Sequence, residues 1–122
     1  MKKIFVLLLF TASLLMSLMS VAYSQTNAKG IAMCDRIEKR GICEEYRINS
    51  LAPADKKIIL KHCTSDALCP EQDRMAQCIN YKDPDGVVAD KFYYRNVANR
   101  EDWEVDVIEA NCKNSNGRYQ AN

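Results

Sequence analysis

The chain has 122 residues, with 17 Lys and Arg against 16 Asp and Glu and one His, for a net charge of +1. A near-neutral surface with both signs interspersed gives no electrostatic case for nucleic acid or an anionic lipid surface as partner. The length allows one domain with a modest core, the kind that gains from covalent crosslinks.

The first expected element is a leader. Lys2 and Lys3 precede an apolar run from Ile4 to Ala22, and Ala22-Tyr23-Ser24 offers small residues at the −3 and −1 positions of a cleavage site. Residues 1–24 therefore read as a signal peptide, with Gln25 as the new N-terminus. The run is nearly long enough for an uncleaved anchor. Its Thr11, Ser13, Ser17 and Ser20 and its small-residue exit favour cleavage. No stable membrane insertion is expected afterwards, and Cys34 lies too far beyond the run for a lipoprotein. Removing Lys2 and Lys3 with the leader leaves 98 residues and a net charge of −1. The expected location is secreted or periplasmic, and the Met-Lys-Lys start points to a bacterium.

Residues 25–32 read as a flexible lead-in, and 33–122 as a single disulfide-rich domain. "ICEEYRI", Ile42 to Ile48, reads as a strand. "NSLAPADKKIILKHC" reads as a first helix capped at Ser50 or Ala52, with Pro53 in its first turn. Leu51, Ile58, Ile59 and Cys63 form its expected inner face, with Lys56, Lys57 and Lys61 outside. "AQCINYK" and "VVADKFYYR" read as two strands joined by the turn Asp83-Pro84-Asp85-Gly86. "NREDWEVDVIEANCKNSNG" reads as a second helix. Asn99 is its expected cap, Val105, Ile108 and Cys112 its inner face, Trp103 and Val107 an adjacent pair, and Asn116-Gly117 its left-handed stop. The tail Arg118 to Gln120 reads as a short strand. Short strands with two helices give an α+β domain.

All six cysteines follow the leader: Cys34, Cys43, Cys63, Cys69, Cys78 and Cys112. An even number in a short exported chain reads as three disulfides, each worth ~2–4 kcal/mol. No C-x2-C pair is present for zinc or for thioredoxin-like redox chemistry, so neither a metal nor a cofactor is expected.

The cysteines also suggest a repeat. Eight residues separate Cys34 from Cys43 and Cys69 from Cys78, with Tyr46 and Tyr81 following at the same distance. Each half then reaches a helix-borne cysteine, Cys63 or Cys112. Two copies are too few for a solenoid, so the expectation is a pseudo-twofold domain with halves at about 34–68 and 69–119.

Small exported bacterial proteins of unknown function show a similar order of motifs. This chain offers "CDRIEKRGICEEY", "KHC", Cys69-Pro70, "AQC", Phe92-Tyr93-Tyr94 and "ANCKNSNGRY" across most of residues 34–119. It departs where glycine pairs would be expected, with "TSD" after Cys63 and Asn116-Gly117 near the end. The resemblance implies a disulfide-stapled α+β exported domain and transfers no catalytic residue.

Six cysteines allow 15 pairings. Three per half require at least one bridge between the halves. Two patterns suit the repeat. One is Cys34–Cys69 with Cys43–Cys63 and Cys78–Cys112; the other is Cys34–Cys43 and Cys69–Cys78 with Cys63–Cys112.

The chemistry-bearing side chains are few. His62 could serve as a general base, but no nucleophile or paired acid accompanies it, and a helix end suits it as an ordinary residue. Asp83, Asp85 and Asp90 hint at calcium, yet Gly86 arrives too early for an EF-hand loop. Glu44 and Glu45 are neighbours on a strand, so they point to opposite faces and do not flank one bond. Phe92 and Tyr94 share a strand face that reads as core. Tyr93 on the other face, with Trp103, is the candidate contact surface. No residue is assigned a catalytic role. The sequence favours a non-enzymatic binding module, an inhibitor or accessory factor for a protein or envelope component. The alternative is a small secreted hydrolase or toxin.

Overall fold

The computed structural model describes residues 27–122; the expected signal peptide lies outside the described residues. Among these, six strands and three helices follow one another in the order β1 (Ile31–Arg36), α1 (Ile37–Arg40), β2 (Ile42–Arg47), a 3-10 turn (Ile48–Ser50), α2 (Pro53–His62), β3 (Thr64–Ser65), β4 (Arg74–Lys82), β5 (Val88–Tyr94), α3 (Val105–Asn114) and β6 (Arg118–Ala121). The strands form one sheet in the order β3-β1-β2-β5-β4-β6, antiparallel throughout. The domain is α+β and carries three disulfides.

Local chemistry explains the connections. Gly41 sits at φ 66° and closes α1, where its N–H donates to the Ile37 carbonyl at 2.7 Å. The β4–β5 turn is the expected one. Gly86 lies at φ 85° and its N–H reaches the Asp83 carbonyl at 2.9 Å, while Asp83 Oδ1 accepts from the Val87 N–H at 2.8 Å. In α2, extended Ala52 precedes Pro53, which has no N–H to lose at a helix start.

The other helix starts later than its sequence suggests, at Val105 rather than just after Asn99. Asn99 lies in the left-handed region at φ 63°. The Asp102 carboxylate accepts from the Asn96 N–H at 2.8 Å, and the Trp103 indole N–H reaches back to the Arg40 carbonyl at 2.9 Å. These tertiary contacts hold 99–104 as a loop. The lead-in expected over 25–32 also ends sooner, because Ile31 and buried Ala32 already belong to β1.

A local twofold relates the two halves. Each is a hairpin, a helix and a short returning strand that pairs outside the hairpin's first strand: β1-β2-α2-β3 and β4-β5-α3-β6. The strand registers align them around the centre of the sheet, as far as the irregularities of β4 between Arg74 and Ala76 and between Cys78 and Tyr81. Cys34 lies opposite Glu44, Cys78 lies opposite Lys91, and Glu44 faces Lys91 across the central β2–β5 seam. Cys34 therefore corresponds to Cys78, Glu44 to Lys91, Ala32 to Ala76 and Tyr46 to Tyr93. This corrects the repeat read from spacing, which matched Cys34 with Cys69 and Tyr46 with Tyr81. Cys34 and Cys43 span the β1–β2 hairpin, whereas Cys69 lies in the loop before β4.

Two cores follow this symmetry. One gathers Ala32, Cys34, Tyr46, Ile48 and Ala89 beneath Ile59 and Cys63. The other gathers Ala76, Cys78, Tyr93 and Ile42 beneath Ile108 and Cys112. Ile42 and Tyr46 are four residues apart on β2 and share a face, so both helices cover the same side of the sheet. The opposite side carries a third cluster of Cys43, Cys69, Phe92 and Tyr94, joined by Met33, Ile37 and Val97.

The bridges are Cys34–Cys63, Cys43–Cys69 and Cys78–Cys112. Of the expected pairings only Cys78–Cys112 is present. Cys34–Cys63 is its twofold mate: a first strand is tied to the residue that ends α2 in one half and to α3 itself in the other. Cys43–Cys69 alone joins the halves and has no counterpart, since the position matching Cys43 is Asp90. The expected bridges Cys34–Cys69, Cys43–Cys63, Cys34–Cys43, Cys69–Cys78 and Cys63–Cys112 are replaced. Strand pairing sends Cys34 and Cys43, adjacent in register, to opposite faces.

Candidate functional site

The twofold seam is the first place where ionisable groups meet. On the helix side, Glu44 is buried, and its Oε2 accepts from the Tyr46 hydroxyl at 2.7 Å. Burial first, then this bond, hold the Tyr46 hydroxyl well above its ordinary pKa. The mate of Glu44, Lys91, forms no ion pair among the described residues. Its Nζ lies over the Tyr81 ring at 4.4 Å from the centroid and 5.7 Å from that of Tyr93. The Tyr93 hydroxyl is buried without a hydrogen-bond partner among the described residues, and its pKa is pushed up to about 12, chiefly by burial. Glu44, Tyr46, Lys91, Tyr81 and Tyr93 form a packed, polar seam.

Tyr93 is therefore not the exposed contact that alternation predicts. It is 1% exposed, because α3 and Trp103 cover the face that the sequence leaves open. Trp103 meets Tyr93 edge-on, with centroids 5.4 Å apart, and is half-buried. Arg100 stacks on the Trp103 ring at 5.4 Å, and its guanidinium reaches the Lys39 carbonyl. These residues dock the 95–104 loop onto the β1–β2 hairpin. An open groove of about 800 Å³ runs between 35–40 and 97–99, lined by Arg36, Lys39 and Arg40 together with Asp35 and Glu38.

The opposite face is a clamp on Cys69-Pro70. Glu45 Oε1 accepts from the Cys69 N–H at 2.8 Å. Arg74 donates to the Cys69 and Pro70 carbonyls, each at 3.0 Å, and its guanidinium lies 3.9 Å over the Phe92 ring. The Tyr94 hydroxyl donates to the Pro70 carbonyl at 2.6 Å. Burial raises the Glu45 pKa, partly offset by the Cys69 N–H and by Arg74. Burial likewise raises that of Tyr94. Glu44 and Glu45 lie on opposite faces, as strand geometry requires, and each serves a structural contact.

The remaining candidates are dispersed. His62 is exposed at the last residue of α2. Asp83 caps its turn, while Asp90 bridges the Asn80 N–H at 2.9 Å and the Arg47 guanidinium at 3.1 Å. Among the described residues no cluster of three metal-capable side chains forms. No described helix is long and apolar enough to cross a membrane.

The feature that sequence reasoning missed is on the helices. Ile58 is 59% exposed, Leu60 37%, Val105 49% and Val107 40%. Ile58 and Val105 were expected on inner faces. Ile58 immediately precedes the inward Ile59, and Val107 immediately precedes the inward Ile108. The two therefore occupy equivalent flanks of the two helices. A single-helix periodicity assigns such neighbours to the core when it has no register to consult. Comparison of the chain with protein-family models, curated proteins and solved structures finds no match.

Proposed function

We propose that this protein is an exported, non-enzymatic binding module that presents the outer surfaces of α2 and α3 to a protein partner of the bacterial envelope or the medium. The observation that carries this reading is the exposure of Ile58 and Leu60 on α2 and of Val105 and Val107 on α3, with Ile58 and Val107 at equivalent flanks. Exposed apolar side chains on the two helices that cover one side of the sheet give a partner apolar area to bury. Three bridges in a chain this short favour an oxidising extracellular or periplasmic setting and give the sheet a fixed shape on which to hold the helices. A preformed surface loses little conformational entropy on binding.

The test is site-specific photocrosslinking from Leu60 in an exporting host, repeated in an Ile58→Asp/Val107→Asp variant. One defined crosslinked partner, lost in the variant while the melting temperature holds, is the expected outcome. Crosslinks unchanged by the double substitution would remove the helical face from the account.

A further inference from the structure

The two twofold-related disulfides sit in unequal surroundings. Cys78 and Cys112 are both fully buried, and Ile108 beside them is equally enclosed. In the other half Cys34 is buried, but Cys63 is only half-buried, the one cysteine of the six outside the core. The helices differ in the same way. α3 buries Ile108 and Cys112, while α2 buries no residue at all. Its inward contacts are Ile59 and, just before it, Leu51, both partly exposed. The returning strand after α2 has two residues, and its counterpart after α3 has four. A segment with few buried apolar contacts opens at lower free energy than the rest of the fold.

We infer that Cys34–Cys63 is a thiol-exchange latch, opened by an external dithiol reductant that attacks Cys63 and frees α2 from the sheet. The attacking thiolate forms a bond to Cys63 Sγ as the Cys34–Cys63 bond breaks. The electron pair passes to Cys34 Sγ, which takes up a proton. The second thiol of the reductant then displaces Cys63, leaving two protein thiols and an oxidised reductant. Exposed Lys61 lies two residues before Cys63, where its positive charge favours the approach of a thiolate. Opening removes Ile59 and Cys63 from the cluster of Ala32, Tyr46, Ile48 and Ala89, against which both pack when closed. The other half stays shut, because Cys78–Cys112 lies under α3 with no exposed sulfur-bearing residue. The latch also governs the proposed binding face, since Ile58 and Leu60 ride on α2, but it stands on packing alone.

The experiment is a dithiothreitol titration of the oxidised protein under native conditions. Samples are quenched with iodoacetamide for peptide mass spectrometry and followed in parallel by amide hydrogen exchange. Cys34 and Cys63 should be alkylated first, about tenfold faster than the other four cysteines, as expected for local rather than global opening. Exchange should rise over 51–63 and stay unchanged over 105–121. A Cys34→Ser/Cys63→Ser variant should show the same exchange pattern without reductant. Earlier opening of either other bridge, or release of all six thiols together, would overturn the latch. So would first opening of Cys34–Cys63 with no faster exchange over 51–63.

Discussion

Glu44 and Lys91 face each other across the β2–β5 seam, and the local twofold of the domain passes between them. Each is also the cross-strand neighbour of a disulfide cysteine, so Cys34, Glu44, Lys91 and Cys78 form one row across four strands. The symmetry is one of fold and packing, and the chemistry has diverged at its centre. Glu44 takes its hydrogen bond from Tyr46, whereas Lys91 rests on the ring of Tyr81.

That divergence predicts opposite behaviour for two tyrosines in equivalent positions. Tyr46→Phe removes the donor to a buried carboxylate and should cost about 1–3 kcal/mol. Tyr93→Phe removes a hydroxyl that has no hydrogen-bond partner among the described residues and should be neutral or slightly stabilising, within about 0.5 kcal/mol. Chemical denaturation of the two variants side by side is the check.

Gly117 gives a second test. The left-handed residue after α3 is Asn116, at φ 57°, and the Gly117 N–H donates to the Cys112 carbonyl at 2.9 Å. Gly117 is needed for a different reason. A Cβ there would meet the sulfurs of Cys78 and Cys112 and lie 3.2 Å from the Ile79 carbonyl. Gly117→Ala should therefore cost about 1–3 kcal/mol through overpacking. Asn116→Gly should be tolerated, because glycine adopts positive φ without penalty.

The elements with strong local chemistry were legible in the sequence, and those set by partners were not. Pro53 after an extended alanine marks α2, and Asp83 to Gly86 marks the β4–β5 turn, because both act within a few residues. β1 is hidden in "IAMCDR", where apolar Ile31 and Ala32 are adjacent and an alternating pattern never forms. The repeat was visible but in the wrong register. Cys69 and Tyr81 happen to reproduce the spacing of Cys34 and Tyr46, while the true mates are Cys78 and Tyr93. Strand pairing fixes that register, and no local signal reports it. The burial of Tyr93 likewise depends on Trp103 arriving from a loop that sequence periodicity assigns to a helix.

Glu45 provides a pH test. Burial raises its folded pKa above the ordinary value of 4.5. A raised carboxyl pKa means that the folded state holds the proton more tightly than the unfolded state. This contribution is present below pH 4.5 and is lost as pH rises through the folded pKa. Glu45→Gln keeps an acceptor for the Cys69 N–H and has no proton to lose. The variant should gain stability relative to the parent as pH rises from about 4 to 7. Paired thermal melts across that range give the answer; a difference that does not change with pH would contradict the assignment.

The inter-half bridge should matter to the relation between halves more than to either hairpin. Replacing Cys43 and Cys69 by Ser removes the staple across the sheet while the Glu45, Arg74 and Tyr94 clamp still holds 69–70. A loss of about 2–4 kcal/mol with native-like far-UV circular dichroism is expected.

The most direct test of the architecture is a non-reducing peptide map of the oxidised protein. The twofold arrangement predicts Cys34 joined to Cys63 and Cys78 joined to Cys112, with Cys43–Cys69 as the only link between halves. Recovery of Cys34–Cys69 or Cys43–Cys63 would break the correspondence between Cys34 and Cys78 and, with it, the paired cores built on that register.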